Sequence, residues 1–176
     1  MPLPSRYAWL AKELAPKMLV EAIKLHGTLE MPGDKDDPTI MAWAAETGLE
    51  RVYSHDSVPW CGLFMAVVAK RAGKEIPKDP LWALNWANFG TKQTVAMLGD
   101  VLVFRRNNGG HVSIYVGEDD SAYHCLGGNQ SDSVNITRVG KSRLYAIRRS
   151  IWKIAQPGNV RRIILEAGGE LSKNEA

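Results

Sequence analysis

A cysteine, a histidine and an amide side chain sit where three separate apolar runs begin or end, and together they have the chemistry to open an amide bond. Cys61 follows Pro59-Trp60 and heads the run Cys61-Gly62-Leu63-Phe64-Met65-Ala66-Val67-Val68-Ala69. Pro59 just ahead, Lys70-Arg71 at the end and Gly73 beyond are helix start and stop signals. Cys61 therefore falls in a first helical turn, where unpaired N–H groups lower a thiol's pKa and favour the nucleophilic thiolate. Such a nucleophile needs a base to take its proton and a third polar group to fix the imidazole's tautomer. His111 opens an apolar run directly after Gly109-Gly110, where small residues leave its ring accessible, and is the candidate base. Asn129, just after Gly127-Gly128, is the favoured third member, with His124 as the alternative. Period-two alternation puts His124 and Asn129 on opposite faces unless the glycine pair makes a bulge, so one of them faces the site. Cys125 reads as buried filler. Taken singly, Cys61 is a buried small residue and His111 a strand cap; only the combination suggests catalysis.

The elements that must position these residues divide into two halves. Residues 5–14 give a short helical pattern, and Pro16 opens a clearer helix with Leu19, Ala22, Ile23 and His26 on one face, ended by Gly27. Met31-Pro32-Gly33-Asp34-Lys35-Asp36-Asp37 reads as a solvated polar loop, with Asp37 capping a helix that starts at Pro38 and stops at Gly48. A loop carrying Tyr53, His55 and Asp56 leads into the Cys61 helix. The Trp-rich stretch Leu81–Trp86 reads as a short helix whose tryptophans pack in the core. After Gly99-Asp100 the pattern becomes strand-like: 101–104, a turn at Asn107-Asn108-Gly109-Gly110, 111–117, 122–126, 134–138 and 144–148. The predicted class is α+β, a helical N-terminal half against an antiparallel sheet of about five strands. From Trp152 onward the tail predicts one basic helix, with frayed residues after Gly168.

The chain has 176 residues and a net charge of +3, so one domain with its own core is expected. No dense Arg/Lys stripe interleaved with aromatics points to nucleic acid. Two cysteines and four histidines offer neither a disulfide framework nor CxxC or HExxH spacing. No metal or cofactor is expected. The N-terminus has no apolar core of signal-peptide length and no stretch reaches membrane-spanning length, which predicts synthesis in the cytoplasm without stable membrane insertion.

Three blocks, Pro59-Trp60-Cys61, Gly110-His111-Val112-Ser113-Ile114-Tyr115-Val116-Gly117 and Leu126-Gly127-Gly128-Asn129-Gln130-Ser131-Asp132-Ser133-Val134-Asn135-Ile136, resemble in order those of the CHAP/NlpC-type cysteine peptidase and amidase superfamily. The nearest likeness is to a branch of bacteriophages and bacteria, which Asp37-Pro38-Thr39-Ile40 and Thr47-Gly48 also resemble, so the likeness runs from about residue 8 to 149. It implies a papain-like fold, a catalytic domain over 1–150, and a basic helical extension of that domain over 151–176. It further implies Cys61 as nucleophile, His111 as general base and Asn129 as the orienting group. The acidic residue usual two positions before that Asn is Gly127 here, and His124 matches the NlpC-type third position. The oxyanion and substrate groups expected from the same resemblance are the Cys61 backbone N–H, Tyr53 and Trp60. The implied substrate is bacterial peptidoglycan, cut at a stem-peptide amide or at the muramoyl–L-alanine link. A monomeric phage endolysin reaching the wall through a holin-made lesion fits, with transient contact of the basic tail on an anionic membrane. A secreted interbacterial amidase effector, or a non-catalytic wall-binding or phage-tail module, are the alternatives.

Overall fold

Pro38 stands at the first position of its helix and Asp37 caps it as the sequence predicts: Asp37 Oδ1 accepts from Thr39 N at 2.8 Å and Ile40 N at 3.1 Å. In the computed structural model, which describes residues 1–33 and 35–173, this helix (α2, Pro38–Thr47) follows a 3-10 segment, Ser5–Lys12, and α1, Lys17–Lys24. Asp34 of the polar loop and residues 174–176 of the tail lie outside the described residues. Helix α3, Cys61–Arg71, is the centre of the molecule, with every residue from Cys61 to Ala69 buried. A run that is apolar all round cannot face water on any side, so α1 and α2 cover it from one side and the sheet from the other.

The class is α+β. Among the described residues, six antiparallel strands, β1 (Thr91–Gln93), β2 (Val101–Arg106), β3 (Gly109–Glu118), β4 (Ala122–Gly127), β5 (Asn135–Gly140) and β6 (Leu144–Arg149), lie in the order β1-β6-β2-β3-β4-β5. Alternation divides the sheet into two faces. Val101, Val103, Val112, Ile114, Val116 and Leu126 join the helices in the main core, while Leu102, Phe104, Tyr115, Cys125, Val139 and Ile147 form a second cluster. The sixth strand, β1, is a short polar edge segment paired to β6, with no apolar alternation to reveal it.

The Trp-rich stretch is a 3-10 segment, Ala83–Asn88, in which Trp86 is fully buried and donates to Pro80 O at 2.9 Å. Trp82 instead remains 52% exposed. The expected C-terminal helix is absent among the described residues, and this corrects the sequence reading. Pro157-Gly158 followed by Val160, Ile163 and Ile164 disfavours helix, and the tail runs as an extended strap. It bridges to the β3 end through Glu118 N→Ile163 O at 2.9 Å and Leu165 N→Glu118 O at 2.8 Å. Beyond Gly168 it is still held, by Ser172 N→Arg138 O at 2.8 Å. No described helix is long and apolar enough to cross a membrane.

Candidate active site

Helix α3 begins with Phe64 N donating to Trp60 O at 2.9 Å, which leaves the N–H groups of Cys61, Gly62 and Leu63 without intrahelical partners. Two side-chain bonds hold the loop ahead of it: Tyr53 Oη donates to Val58 O at 3.1 Å and Trp60 Nε1 to Glu30 Oε2 at 2.8 Å. Gly62 then allows the 80–81 backbone to lie against the first turn, since a Cβ there would meet Pro80 O at 2.2 Å. Together these contacts fix the depth at which Cys61 sits.

The backbone N–H groups of Val112, Gly62 and Cys61 lie close enough to the sulphur to favour its charged form, so the residue next to His111 in the chain neighbours the nucleophile candidate. His111 is fully buried, its ring stacked on Phe104 with centroids 6.4 Å apart. A cleft of about 960 Å³ opens beside Cys61, lined by Val58, Pro59 and Trp82 together with the β2–β3 hairpin.

Gln130 holds the imidazole. Its Oε1 lies 3.0 Å from His111 Nε2, while its Nε2 donates to Cys125 O at 3.2 Å, Asn135 O at 2.8 Å and Asn135 Oδ1 at 3.0 Å. Those three partners are all acceptors, so that end of the side chain must be the NH₂ and the end facing His111 must be the carbonyl. His111 Nε2 therefore carries the proton and donates it, and Nδ1 keeps its lone pair, the form a general base requires. The rest of Gln130 is equally fixed. Its N–H donates to Ser133 O at 3.0 Å, and its carbonyl accepts from Ser133 Oγ at 2.9 Å and Asn135 Nδ2 at 2.8 Å.

Neither expected third member touches His111 through a hydrogen bond the structure records. Asn129 is 2% exposed, in the left-handed region at φ 54°, and its Oδ1 accepts no hydrogen bond among the described residues. Alternation along β4 carries His124 to the helical side of the sheet, where Tyr7 Oη donates to Nδ1 at 2.6 Å and Nε2 donates to Asp119 Oδ2 at 2.9 Å. The two remaining site residues are also placed otherwise than expected. Tyr53 commits its only proton to Val58 O, and burial raises its pKa, so it remains a neutral loop anchor. Trp60 is fully buried and cannot line a substrate surface. Among the described residues, no group of three His, Cys, Asp or Glu side chains is placed to hold a metal ion.

The electrostatics of Cys61 reverse one expectation. Burial pushes the thiol's pKa up, against the opposing pull of the Val112, Gly62 and Cys61 N–H groups and of Arg106. A helix N-terminus alone would lower it; desolvation of a fully buried sulphur outweighs that. The resting form is the thiol. Alkylation of Cys61 by iodoacetamide is accordingly expected to accelerate about tenfold per pH unit from about pH 6 to pH 9, with buried Cys125 unreacted. A fast, flat profile over that range, read by mass spectrometry of the two cysteine peptides, would mean a preformed thiolate.

Against known proteins, the chain matches no family model and no curated sequence.

Proposed function

We propose that this protein is a cysteine hydrolase of amide bonds in bacterial peptidoglycan, built on a papain-like arrangement of helix and sheet. The observation that carries the reading is the His111–Gln130 bond: it selects the imidazole tautomer with a basic Nδ1, in the residue next to Val112, whose N–H favours the charged form of the Cys61 sulphur. Any buried histidine must satisfy its ring N–H, but a purely structural pair gives no reason for a thiol at a helix start beside a cleft next to a histidine held in the basic-Nδ1 tautomer.

In the proposed reaction His111 Nδ1 takes the Cys61 proton as the sulphur attacks the amide carbonyl, forming the S–C bond. The N–H groups at the α3 start, that of Cys61 first, stabilise the oxyanion. His111 then returns its proton to the departing amine as the C–N bond breaks. Water attacks the thioester and gives a proton to His111; the S–C bond then breaks, His111 passes that proton to the departing sulphur, and a carboxylic acid and the free thiol are released. Gln130 touches no reacting atom; it is a positioning residue. With a thiol rather than a thiolate at rest, attack and proton transfer occur together, so the base is needed for acylation as well as for hydrolysis. The bond cut is a stem-peptide amide or the muramoyl–L-alanine link, and a phage endolysin is the biological setting proposed.

Cys61→Ala and His111→Ala are each expected to reduce release of soluble muropeptides from purified sacculi by at least about 10³-fold per folded molecule; melting temperature should change little in Cys61→Ala and fall in His111→Ala, which leaves a cavity beside Phe104 and Gln130 Oε1 unpaired. Turnover by either variant at wild-type rate would sink the hydrolase reading.

A further inference from the structure

The cleft beside Cys61 has a chemical bias that the three-residue machinery does not use. Its described lining includes Arg105, Arg106, Arg143 and Lys173 and no aspartate or glutamate. Two of these cations are already engaged. The Arg105 guanidinium lies 4.4 Å from the Tyr145 ring centroid, and Arg143 Nε donates to Arg105 O at 3.3 Å. Arg106 differs: its backbone is held in the hairpin opposite Gly109, yet its side chain makes no hydrogen bond, ion pair or ring contact among the described residues. It is half-buried, and its charge reaches the Cys61 sulphur. A half-buried guanidinium without an anionic partner, at the wall of an open cleft, has five donors in a planar fork suited to a carboxylate.

We infer that Arg106 forms a carboxylate subsite next to Cys61, so that the preferred substrate is a peptide bearing a free carboxylate beside the amide that is cut. The inference rests on the hydrolase reading for its reaction but not for its binding. Asn107 and Asn108, at the tip of the same hairpin, offer amides to the peptide backbone, and Trp82 with Val58 offers an apolar wall for a side chain. The subsite thus orients an acidic peptide along the cleft, with its amide carbonyl over the α3 N-terminus. A neutral or amidated peptide would leave Arg106 unpaired where water is partly excluded.

The test uses paired synthetic stem tetrapeptides that differ only in a D-glutamyl α-carboxylate against its α-carboxamide. Binding is measured by calorimetry to the full-length Cys61→Ala protein at matched ionic strength. The carboxylate peptide is expected to bind about tenfold or more tightly than the carboxamide, the size of a charge-assisted hydrogen-bond pair. Adding Arg106→Gln should bring the two peptides within about twofold, and Arg106→Lys, which keeps the charge and loses the fork, should retain part of the preference. Equal affinities in Cys61→Ala, or a preference that survives Arg106→Gln, would overturn the inference. So would displacement by inorganic phosphate with no preference between the peptides, which would make the cleft a phosphate site. Wild-type protein that binds with the expected preference but cuts neither the peptides nor sacculi overturns the hydrolase reading and leaves the subsite standing. Wild-type protein that cuts both peptides equally well does the reverse.

Discussion

Gln130→Met is expected to lower kcat by roughly 10²–10³-fold while KM stays within about threefold, the size of effect seen when a general base is mispositioned. Methionine matches the length of the side chain and removes both its acceptor and its donors. His111 Nε2–H then loses the partner that selects its tautomer, and Nδ1 carries the proton for much of the time. A protonated Nδ1 cannot accept from the Cys61 thiol. The loss falls on kcat because Gln130 lies behind the imidazole and is 1% exposed, out of reach of substrate. A purely structural role would look different. Cys125 O and Asn135 would lose donors, lowering stability by about 1–3 kcal/mol, without altering the imidazole's protonation pattern in the folded fraction. Nitrogen-15 NMR of the ring separates the two: wild type should have His111 protonated at Nε2, and Gln130→Met a mixture. A variant with wild-type kcat and an unmixed Nε2-protonated ring would remove Gln130 from the machinery.

What was legible in the sequence was what neighbouring residues decide among themselves. The α3 helix and the Cys61 position at its start follow from Pro59, an unbroken apolar run and a basic last turn. The Asp37 cap and the placing of His111 after a glycine turn are equally local. The partner of the His111 ring was not local. If β4 simply continued past Cys125 and Gly127, alternation would bring Asn129 to the His111 face. The strand instead ends at Gly127, and Asn129, Ser131 and Asp132 all adopt positive φ, at 54°, 49° and 56°. That tight turn presents the next residue, Gln130, whose amide oxygen lies 3.0 Å from His111 Nε2. Gly128 permits the loop to lie this close to α3, since a Cβ there would meet Phe64 Cβ at 2.6 Å. A dense Asn-Gln-Ser-Asp-Ser run directly after a strand was the available signal for a self-bonded turn rather than a loose loop. The thiol pKa was missed for a different reason: helix position can be read from a sequence, whereas complete burial of one sulphur cannot. The basic, aliphatic tail suggests a helix, whereas Pro157-Gly158 and the β-branched Val160, Ile163 and Ile164 decide against one.

His124, bonded to Tyr7 and Asp119, belongs to a second buried polar group whose loss should be the most destabilising single change short of the core. Asp119, 5% exposed, accepts from Ser121 N at 2.9 Å, Ser121 Oγ at 3.0 Å and Ala122 N at 3.0 Å through Oδ1. Through Oδ2 it accepts from His124 Nε2 at 2.9 Å and Arg138 Nε at 2.8 Å. His124 in turn receives the Tyr7 hydroxyl, and Arg138 donates to Gly169 O, so one carboxylate ties the N-terminal segment and the C-terminal strap to the β3–β4 turn. Asp119→Ala is expected to cost about 3–5 kcal/mol at pH 7, because it removes the anionic partner of a mostly buried guanidinium and leaves a fully buried imidazole N–H unpaired. Asp119→Asn discriminates between the two halves of the site. It keeps the Oδ1 acceptor for the turn but aims an NH₂ at two donors, so it should recover little if the Arg138 pair dominates. The pH dependence follows from the same contacts. The Arg138 guanidinium holds the Asp119 carboxyl well below the usual carboxylate range, and burial lowers the pKa of His124 in spite of Asp119. In both cases the unfolded chain takes up the proton at higher pH than the folded one, so stability falls on acidification. The His124 part is lost below its ordinary value of 6.5 and the Asp119 part below its ordinary value of 3.8. Urea unfolding from pH 7 down to about pH 3 should therefore give a wild-type curve that declines, and a gap to Asp119→Ala that narrows only below about pH 4. A gap that stayed constant through that range would mean that the contacts of Oδ1 with the turn, and not the charge on Oδ2, hold the two ends of the chain in place.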